Sequence, residues 1–398
     1  MTDFNFHIDR NRHFNGELSA QFSVLEAEKA RSFHQRLPGY QPTPLRELDN
    51  LAKEFSLKKI LVKDESYRFG LNAFKMLGGV YAIARLLCEE FDLDINACDF
   101  DKLNNHIKQK LTFATATDGN HGRGVAWAAQ QLGQHAVVYM PKGSASERVN
   151  NIRALGAECI VTNLNYDDTV RLVVEKSTKN GWKVVQDTAW EGYSKIPTWI
   201  MQGYSTMAVE AIEQISEQNI AKPTHVILQA GVGAMAGGVL GFLAEKFGAE
   251  NIKCIIVEPN QADCIYRSGI NPQGEMVNVD GELSTIMAGL ACGEPNPLSW
   301  DILRNCASHF VSCEDKLAAL GMRVLANPMG NDPRIVSGES GAIGLGLLAA
   351  LYYSEDSAAL MAKLDLDADS VVLLISTEGD TDAVHYRDVV WQGKYASI

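Results

Sequence analysis

The sequence predicts an α/β protein of two lobes, each a mostly parallel sheet flanked by helices, with a cleft between them. Three observations carry this. Short strand-like apolar runs alternate with helical patterns across short turns, which is the pattern of parallel βαβ units. The chain has 398 residues, more than one small domain needs. A glycine-rich turn, 231–238, sits between a buried-looking strand and a helix, where such sheets bind ligands.

Residues 1–40 are polar and weakly patterned, and read as a wrap around the body or a contact with a second subunit. Tyr40-Gln-Pro-Thr-Pro-Leu45 reads as an extended connector, because each proline pushes its predecessor out of helix. A short helix is expected over 48–55 and a strand over 59–63. After a polar turn, Phe74, Leu77, Tyr81, Ala84 and Leu87 share one helical face, which puts Lys75 in the first turn of a helix. Residues 92–110, rich in Asp, Asn and Lys, read as a linker or surface excursion. Strand 111–115 then leads to a small-residue helix ended by Gly133, with strand 136–140, helix 145–155, strand 158–161, helix 167–180 and strand 183–186 beyond. A long amphipathic helix is expected over 199–218, followed by strand 224–228, a helix to Phe247 and strand 254–257. Residues 268–285 are polar and Gly-rich and read as a mobile loop. Helices over 315–326 and 341–353 and a last strand at 370–375 complete the pattern, with no internal repeat.

Composition narrows the function. The hydrophobic fraction of 46% and charged fraction of 21% are those of a soluble globular enzyme. No apolar run approaches the roughly 18 residues that cross a membrane, and the N-terminus lacks the basic start and apolar core of a signal peptide. A net charge of −13 with no basic run argues against nucleic acid and anionic membranes as partners. A small anionic substrate stays open, since local dipoles can outweigh global charge. The eight cysteines, at 88, 98, 159, 254, 264, 292, 306 and 313, never stand in C-x-x-C spacing. That argues against structural zinc and a disulfide scaffold, and for a cytoplasmic protein with reduced thiols. His121 and His225 have no metal-ligand spacing, so no metal is expected.

Four stretches can carry chemistry. Gly231-Val-Gly233-Ala-Met-Ala-Gly237-Gly238 could converge backbone N–H groups on a phosphate at a helix N-terminus. It departs from the dinucleotide G-x-G-x-x-G and lacks the Lys-Ser/Thr of a P-loop, and a tight packing turn is the alternative. Were it a phosphate cradle, Gly233→Val would weaken ligand affinity far more than apo stability. Thr117-Asp-Gly-Asn-His-Gly122 could hold a carboxylate, or could simply cap a helix through Thr117 or Asp118. Asp187 follows a strand directly, placed either for ligand binding or as an N-cap. Lys75, beside the positive end of a helix dipole, suits the neutral amine of imine chemistry if partly buried. Alone, it reads first as an ordinary surface lysine near a helix start.

Together these stretches resemble the fold-type II family of pyridoxal-phosphate enzymes, which holds threonine and serine dehydratases, cysteine synthase and threonine synthase. Asn72-Ala-Phe-Lys75 loosely matches the family's Schiff-base lysine motif, Thr117 to His121 its asparagine loop, Gly231 to Gly238 its phosphate loop, and Ser376 and Thr377 the hydroxyl at the pyridine nitrogen. The resemblance covers essentially the whole chain and is strongest toward the members that release ammonia from 2,3-diaminopropionate. Its specific features are Lys63-Asp-Glu-Ser66, Phe69-Gly-Leu-Asn-Ala-Phe-Lys75, Asp118, Gln186-Asp-Thr-Ala-Trp-Glu-Gly192 and Ser376-Thr-Glu-Gly-Asp-Thr-Asp382. Dehydratases usually carry Ser where Asp118 stands and a different segment around Asp187.

The resemblance implies pyridoxal 5'-phosphate bound as an imine on Lys75. It implies cofactor contacts from Asn120, Gly231, Val232, Gly233, Ala234 and Gly237, with Ser376 or Thr377 at the ring nitrogen. It implies substrate contacts from Thr117, Gly119, Asn120 and His121. The expected reaction is α,β-elimination of D- and L-2,3-diaminopropionate to pyruvate and ammonia. Enantiomers present Cα–H to opposite cofactor faces, and one base cannot reach both. The resemblance assigns Asp118 to the D-isomer and Asp187 to the L-isomer, each a stronger base in a partly desolvated pocket than in water. The alternatives are a capping role for Asp118 and a substrate-ammonium contact for Asp187. For the whole chain, the alternatives are a serine/threonine dehydratase and a small-anion-binding pseudo-enzyme; the intact Lys75 and glycine loop count against the latter. The family also implies a homodimer, with a large cofactor-binding lobe from 1–88 and 203–398 and a small mobile lobe from 89–202. Cys264 and Cys292 bracket the 268–285 loop and could pair under oxidation, though two unrelated thiols are the commoner outcome in a reducing cytoplasm.

Overall fold

The structure is a computed structural model that describes residues 4–117 and 119–396; Asp118 lies outside the described residues. Its strands, in chain order, are β1 (Phe6–Arg10), β2 (Leu45–Glu47), β3 (Lys59–Asp64), β4 (Thr112–Ala116), β5 (His135–Met140), β6 (Glu158–Val161), β7 (Lys183–Val184), β8 (His225–Gln229), β9 (Lys253–Pro259), β10 (His309–Cys313) and β11 (Val371–Ser376). They form two sheets, ordered β1-β10-β9-β8-β11-β3-β2 and β6-β5-β4-β7. All pairings are parallel except those of the edge strands β1 and β2. Helices cover both faces, so inner strands such as β11, Val-Val-Leu-Leu-Ile-Ser, are buried throughout and apolar without alternation.

This order places the site. β11 lies between β3 and β8, with Asp64 opposite Ser376 and Leu374 opposite Ile227. Their carboxyl ends therefore deliver the Lys75 segment, the glycine loop and the Thr377 loop to one place. The four-stranded sheet, built wholly from residues 112–184, delivers the 117–121 loop from β4 and Asp187 from beyond β7. The helix after Lys75, Met76–Glu90, packs against helix Lys195–Tyr204 with backbones nearly touching. A Cβ on Gly203 would lie 2.6 Å from the Leu77 carbonyl, so a larger residue would push the Lys75 helix aside.

A fully buried ionic cluster fixes the turn between β3 and Lys75. Arg68 donates to Glu65 at 2.8 Å and to Glu210 at 2.7 and 2.8 Å, and Lys63 Nζ lies 2.7 Å from Glu210. The Thr43 hydroxyl donates to Glu65 at 2.6 Å, which ties in the connector. Burial by itself would raise the Glu210 carboxyl, but Arg68 and Lys63 hold it well below its usual value.

Several expectations are corrected. The polar N-terminal stretch forms β1 and helix Val24–Gln35, and residues 92–110 hold helix Phe100–His106. The helix expected over 199–218 is two, Lys195–Tyr204 and Thr206–Glu217, meeting at Ser205. One continuous apolar stripe hides that break. β10, His-Phe-Val-Ser-Cys, escapes pattern reading because its polar residues are buried and paired; the Ser312 hydroxyl donates to Asp263 at 2.7 Å. Helices Cys264–Ile270, Pro297–Cys306, Ser357–Lys363 and Ala383–Val390 also lack a clear pattern in sequence. The 268–285 segment is anchored: Val279 N–H donates to the Gly293 carbonyl, and Val279 and Leu283 are buried. Cys264 and Cys292 are both buried and are not joined by a disulfide. Among the described residues, no helix is long and apolar enough to cross a membrane, and no cluster of three or more His, Cys, Asp or Glu could hold a metal.

Candidate active site

Lys75 reaches the cleft through a constrained approach. Phe69 and Asn72 take left-handed φ values of 50° and 58°. Asn72 Nδ2 donates to Asp380 at 3.1 Å, its carbonyl accepts from Gly379 N–H, and Phe74 N–H donates to the Thr377 carbonyl. The lysine thus caps its helix with its backbone fastened to the loop after β11. Its side chain is 15% exposed, and Nζ stands 3.3 Å from Asp187 Oδ2.

Asp187 is 3% exposed. Its Oδ1 accepts from the Tyr166 hydroxyl at 2.8 Å and from Gln186 Nε2 at 3.1 Å, and its carbonyl accepts from Asn296 Nδ2 at 3.3 Å. Burial pushes its carboxyl up, but the Lys75 and His121 charges and the Tyr166 hydrogen bond outweigh burial and hold it at about 2. The pairing with Lys75 Nζ thus favours the ionised form of Asp187, against the upward push of burial expected from sequence.

The glycine loop joins β8 to helix Ala234–Phe247, and Gly233 has a φ of 91°. Gly231, Val232, Gly233 and Ala234 line the cleft with Lys75, Asn120, Asp187 and Thr377. First-turn N–H groups have no acceptor within their helix, so they are available to an anion there. A Cβ on Gly233 would meet Ser299 Oγ at 2.6 Å, and one on Gly237 would meet Ser299 Cβ at 2.9 Å. Both positions therefore need glycine for packing as well, and a Gly233 substitution cannot act on ligand affinity alone. Gly237 faces the helix partner and does not line the cleft.

The hydroxyl after β11 that reaches the cleft is that of Thr377, whose Oγ1 accepts from Gln229 Nε2 at 3.0 Å. Ser376 turns away and donates to Ser337 at 2.8 Å. Among the described residues of the asparagine loop, Asn120 lines the cleft; its Nδ2 donates to Glu378 at 2.6 Å. Thr117 Oγ1 accepts from Gly119 and Gly122 N–H at 2.9 and 3.0 Å, so it closes the turn. His121 is fully buried and its Nε2 donates to the Val185 carbonyl at 2.7 Å. Thr117, Gly119 and His121 shape the loop from behind the cleft wall. Sequence reasoning missed Tyr166, Glu378 and Ser340 and named Cys292 only for a possible disulfide; all four line the cleft. Glu378 stood inside a motif already singled out; nothing local marks the others.

These residues suit pyridoxal phosphate: an amine for its aldehyde, helix N-terminal N–H groups for its phosphate and a hydroxyl for its ring nitrogen. Fold and site together define a pyridoxal-phosphate enzyme of fold type II. The family model described as "Pyridoxal-phosphate dependent enzyme" matches residues 36–377. The diaminopropionate ammonia-lyase of Escherichia coli (strain K12) is 66% identical over 398 residues, covering 100% of this chain and 99% of that one. The enzyme of the same name from Salmonella typhimurium (strain LT2) is 52% identical over 401 residues, with the same coverage. The crystal structure of the Escherichia coli enzyme in complex with an aminoacrylate–PLP azomethine reaction intermediate superposes with a TM-score of 0.95, at 64% identity and full coverage of both chains. The chain belongs to the diaminopropionate ammonia-lyases.

Proposed function

We propose that this protein eliminates ammonia from 2,3-diaminopropionate, in both D and L forms. The immediate product is aminoacrylate, which water converts to pyruvate and a second ammonia. The observation that carries the reading is the Lys75 amine facing the Asp187 carboxylate at 3.3 Å across a cleft walled by the glycine loop. Family membership supports it, as does the aminoacrylate named in the Escherichia coli complex.

Bound pyridoxal phosphate supplies the electron sink that makes the substrate Cα proton acidic. The chain does the rest. Lys75 holds the cofactor's aldehyde carbon, and the N–H groups around Gly233 and Ala234 hold its phosphate. Gln229 donates to Thr377 Oγ1, so the Thr377 hydroxyl proton is left to point at the ring nitrogen. A hydroxyl gives up a proton less readily than a carboxylic acid, which limits charge uptake by the ring and suits β-elimination. Asp187 Oδ2 takes the Cα proton of the L-isomer, and Asp118 takes that of the D-isomer from the opposite face. Residues 89–202 move as a small lobe against 1–88 and 203–398, and their closure excludes water from the carbanion. A homodimer in the cytoplasm completes the proposal; the family resemblance and the reduced thiols support it.

The test is crossed selectivity. Asp118→Asn should lose D-diaminopropionate turnover at least tenfold more than L, and Asp187→Asn the reverse, in steady-state assays that also include serine and threonine. Equal loss on both isomers would leave Lys75 as the base. Turnover of serine or threonine without diaminopropionate would favour a dehydratase.

A further inference from the structure

Gln186 precedes Asp187 and is fully buried. Its backbone N–H donates to the Tyr193 hydroxyl at 2.9 Å. The orientation of its side-chain amide is dictated by its neighbours. The backbone N–H of Ala116, in β4, can only donate, and it lies 2.9 Å from Gln186 Oε1. The Thr115 hydroxyl also reaches that oxygen, at 3.0 Å. The other end of the amide is therefore the NH2 group. It donates to the Tyr166 hydroxyl at 2.9 Å and to Asp187 Oδ1 at 3.1 Å. With its oxygen accepting from Gln186, the Tyr166 hydroxyl donates its own hydrogen to Asp187 Oδ1, at 2.8 Å.

The hydrogen-bond chain thus runs one way, from the backbone of β4 to one oxygen of Asp187. Oδ1 is occupied by two donors. Oδ2, facing Lys75 at 3.3 Å, is the oxygen left to accept a proton from a bound molecule. We propose that Gln186 is a positioning residue for the reaction, which through Tyr166 saturates Asp187 Oδ1 and presents Oδ2 to the Cα–H of the L-isomer. This rests on the reading of Asp187 as the L-specific base. It also separates the two isomers, because the chain just described ends on Asp187, the residue read as the base for the L-isomer alone.

The variant that reverses the chain is Gln186→Glu. It keeps the shape and puts an acceptor where the NH2 group stood, against Asp187 Oδ1 and in competition for the Tyr166 proton. In the holoenzyme, the acid limb of kcat/KM for L-diaminopropionate should move up by about one pH unit, a tenfold change in proton affinity. The acid limb for the D-isomer should stay in place. Independently of activity, the pH titration of the bound cofactor's visible absorbance should move up, because added negative charge beside Lys75 favours its protonated nitrogen. If Gln186→Glu does not fold, Tyr166→Phe removes one donor at nearly constant shape and should move both readouts in the same direction by less. A packing role alone would lower Tm and both isomers' turnover together with the pH limbs unmoved, and that result would overturn the proposal. Asp187→Asn, run in parallel, tests the base reading separately. Should it depress both isomers equally, the base reading fails and the absorbance titration decides alone: a shift supports the chain's action on Asp187, and no shift overturns it.

Discussion

Neighbouring charges set what each side chain in this cleft can do. Lys75, which alone reads from sequence as an ordinary surface lysine, is 15% exposed and ion-paired, with the backbone just before it fixed by the Thr377 loop. Lys75→Ala should abolish cofactor fixation by borohydride on the peptide that contains position 75. Labelling of that peptide at another lysine would refute the assignment. His385, at the mouth of the cleft, shows the same balance as Asp187 with the opposite sign of shift. It contacts Glu339 through Nδ1, and this hydrogen bond raises its pKa above the ordinary value of 6.5, against partial burial. Because the folded value is the higher one, the pair's stabilisation is fully present below the unfolded value of 6.5. It is lost as pH rises through the folded value. His385→Ala should therefore cost more stability at pH 6 than at pH 9, by up to about 1 kcal/mol, measured by urea unfolding.

At the scale of elements, the glycine loop does two jobs. Its first-turn N–H groups suit a phosphate, and its missing Cβ atoms let helix Ala234–Phe247 pack on Ser299 and its neighbours. Gly233→Ala should therefore weaken cofactor binding and also destabilise the apo protein, by about 1–3 kcal/mol from the left-handed φ and the close approach to Ser299. Thermal unfolding of the apo form beside a cofactor titration measures both. An unchanged apo Tm would contradict the packing role. The 117–122 turn similarly serves itself first, since Thr117 occupies the Gly119 and Gly122 N–H groups.

For the whole molecule, the two sheets meet at their carboxyl ends, and the cleft takes residues from both. Lys75, Gly233 and Thr377 come from one, Asn120, Tyr166 and Asp187 from the other. A side chain such as Arg171, on helix Tyr166–Asn180, crosses between them to pair with Glu294. If the smaller lobe closes on substrate, small-angle scattering should show a smaller radius of gyration with a trapped substrate analogue. Identical profiles with and without it would argue against closure.

The sequence by itself determined the parallel α/β class, because the alternation of apolar strands and helices is local and periodic. It also determined Lys75, the glycine loop, Asn120 and Asp187 as neighbours in chemistry, because each stands in a short motif at a strand end. It did not reveal β10, whose polar residues are reconciled only by burial beside distant partners, nor β1 and helix Phe100–His106, where few buried residues stand among exposed polar ones. Nor did it separate Thr377 from Ser376. Adjacent residues leaving a strand point opposite ways, and only the neighbouring chain decides which way is the cleft. Tyr166, Gln186 and Glu378 join the site through contacts that span from one residue to more than 250 in sequence. The low pKa of Asp187 was likewise invisible, because it depends on Lys75, 112 residues away in the chain and 3.3 Å away in space.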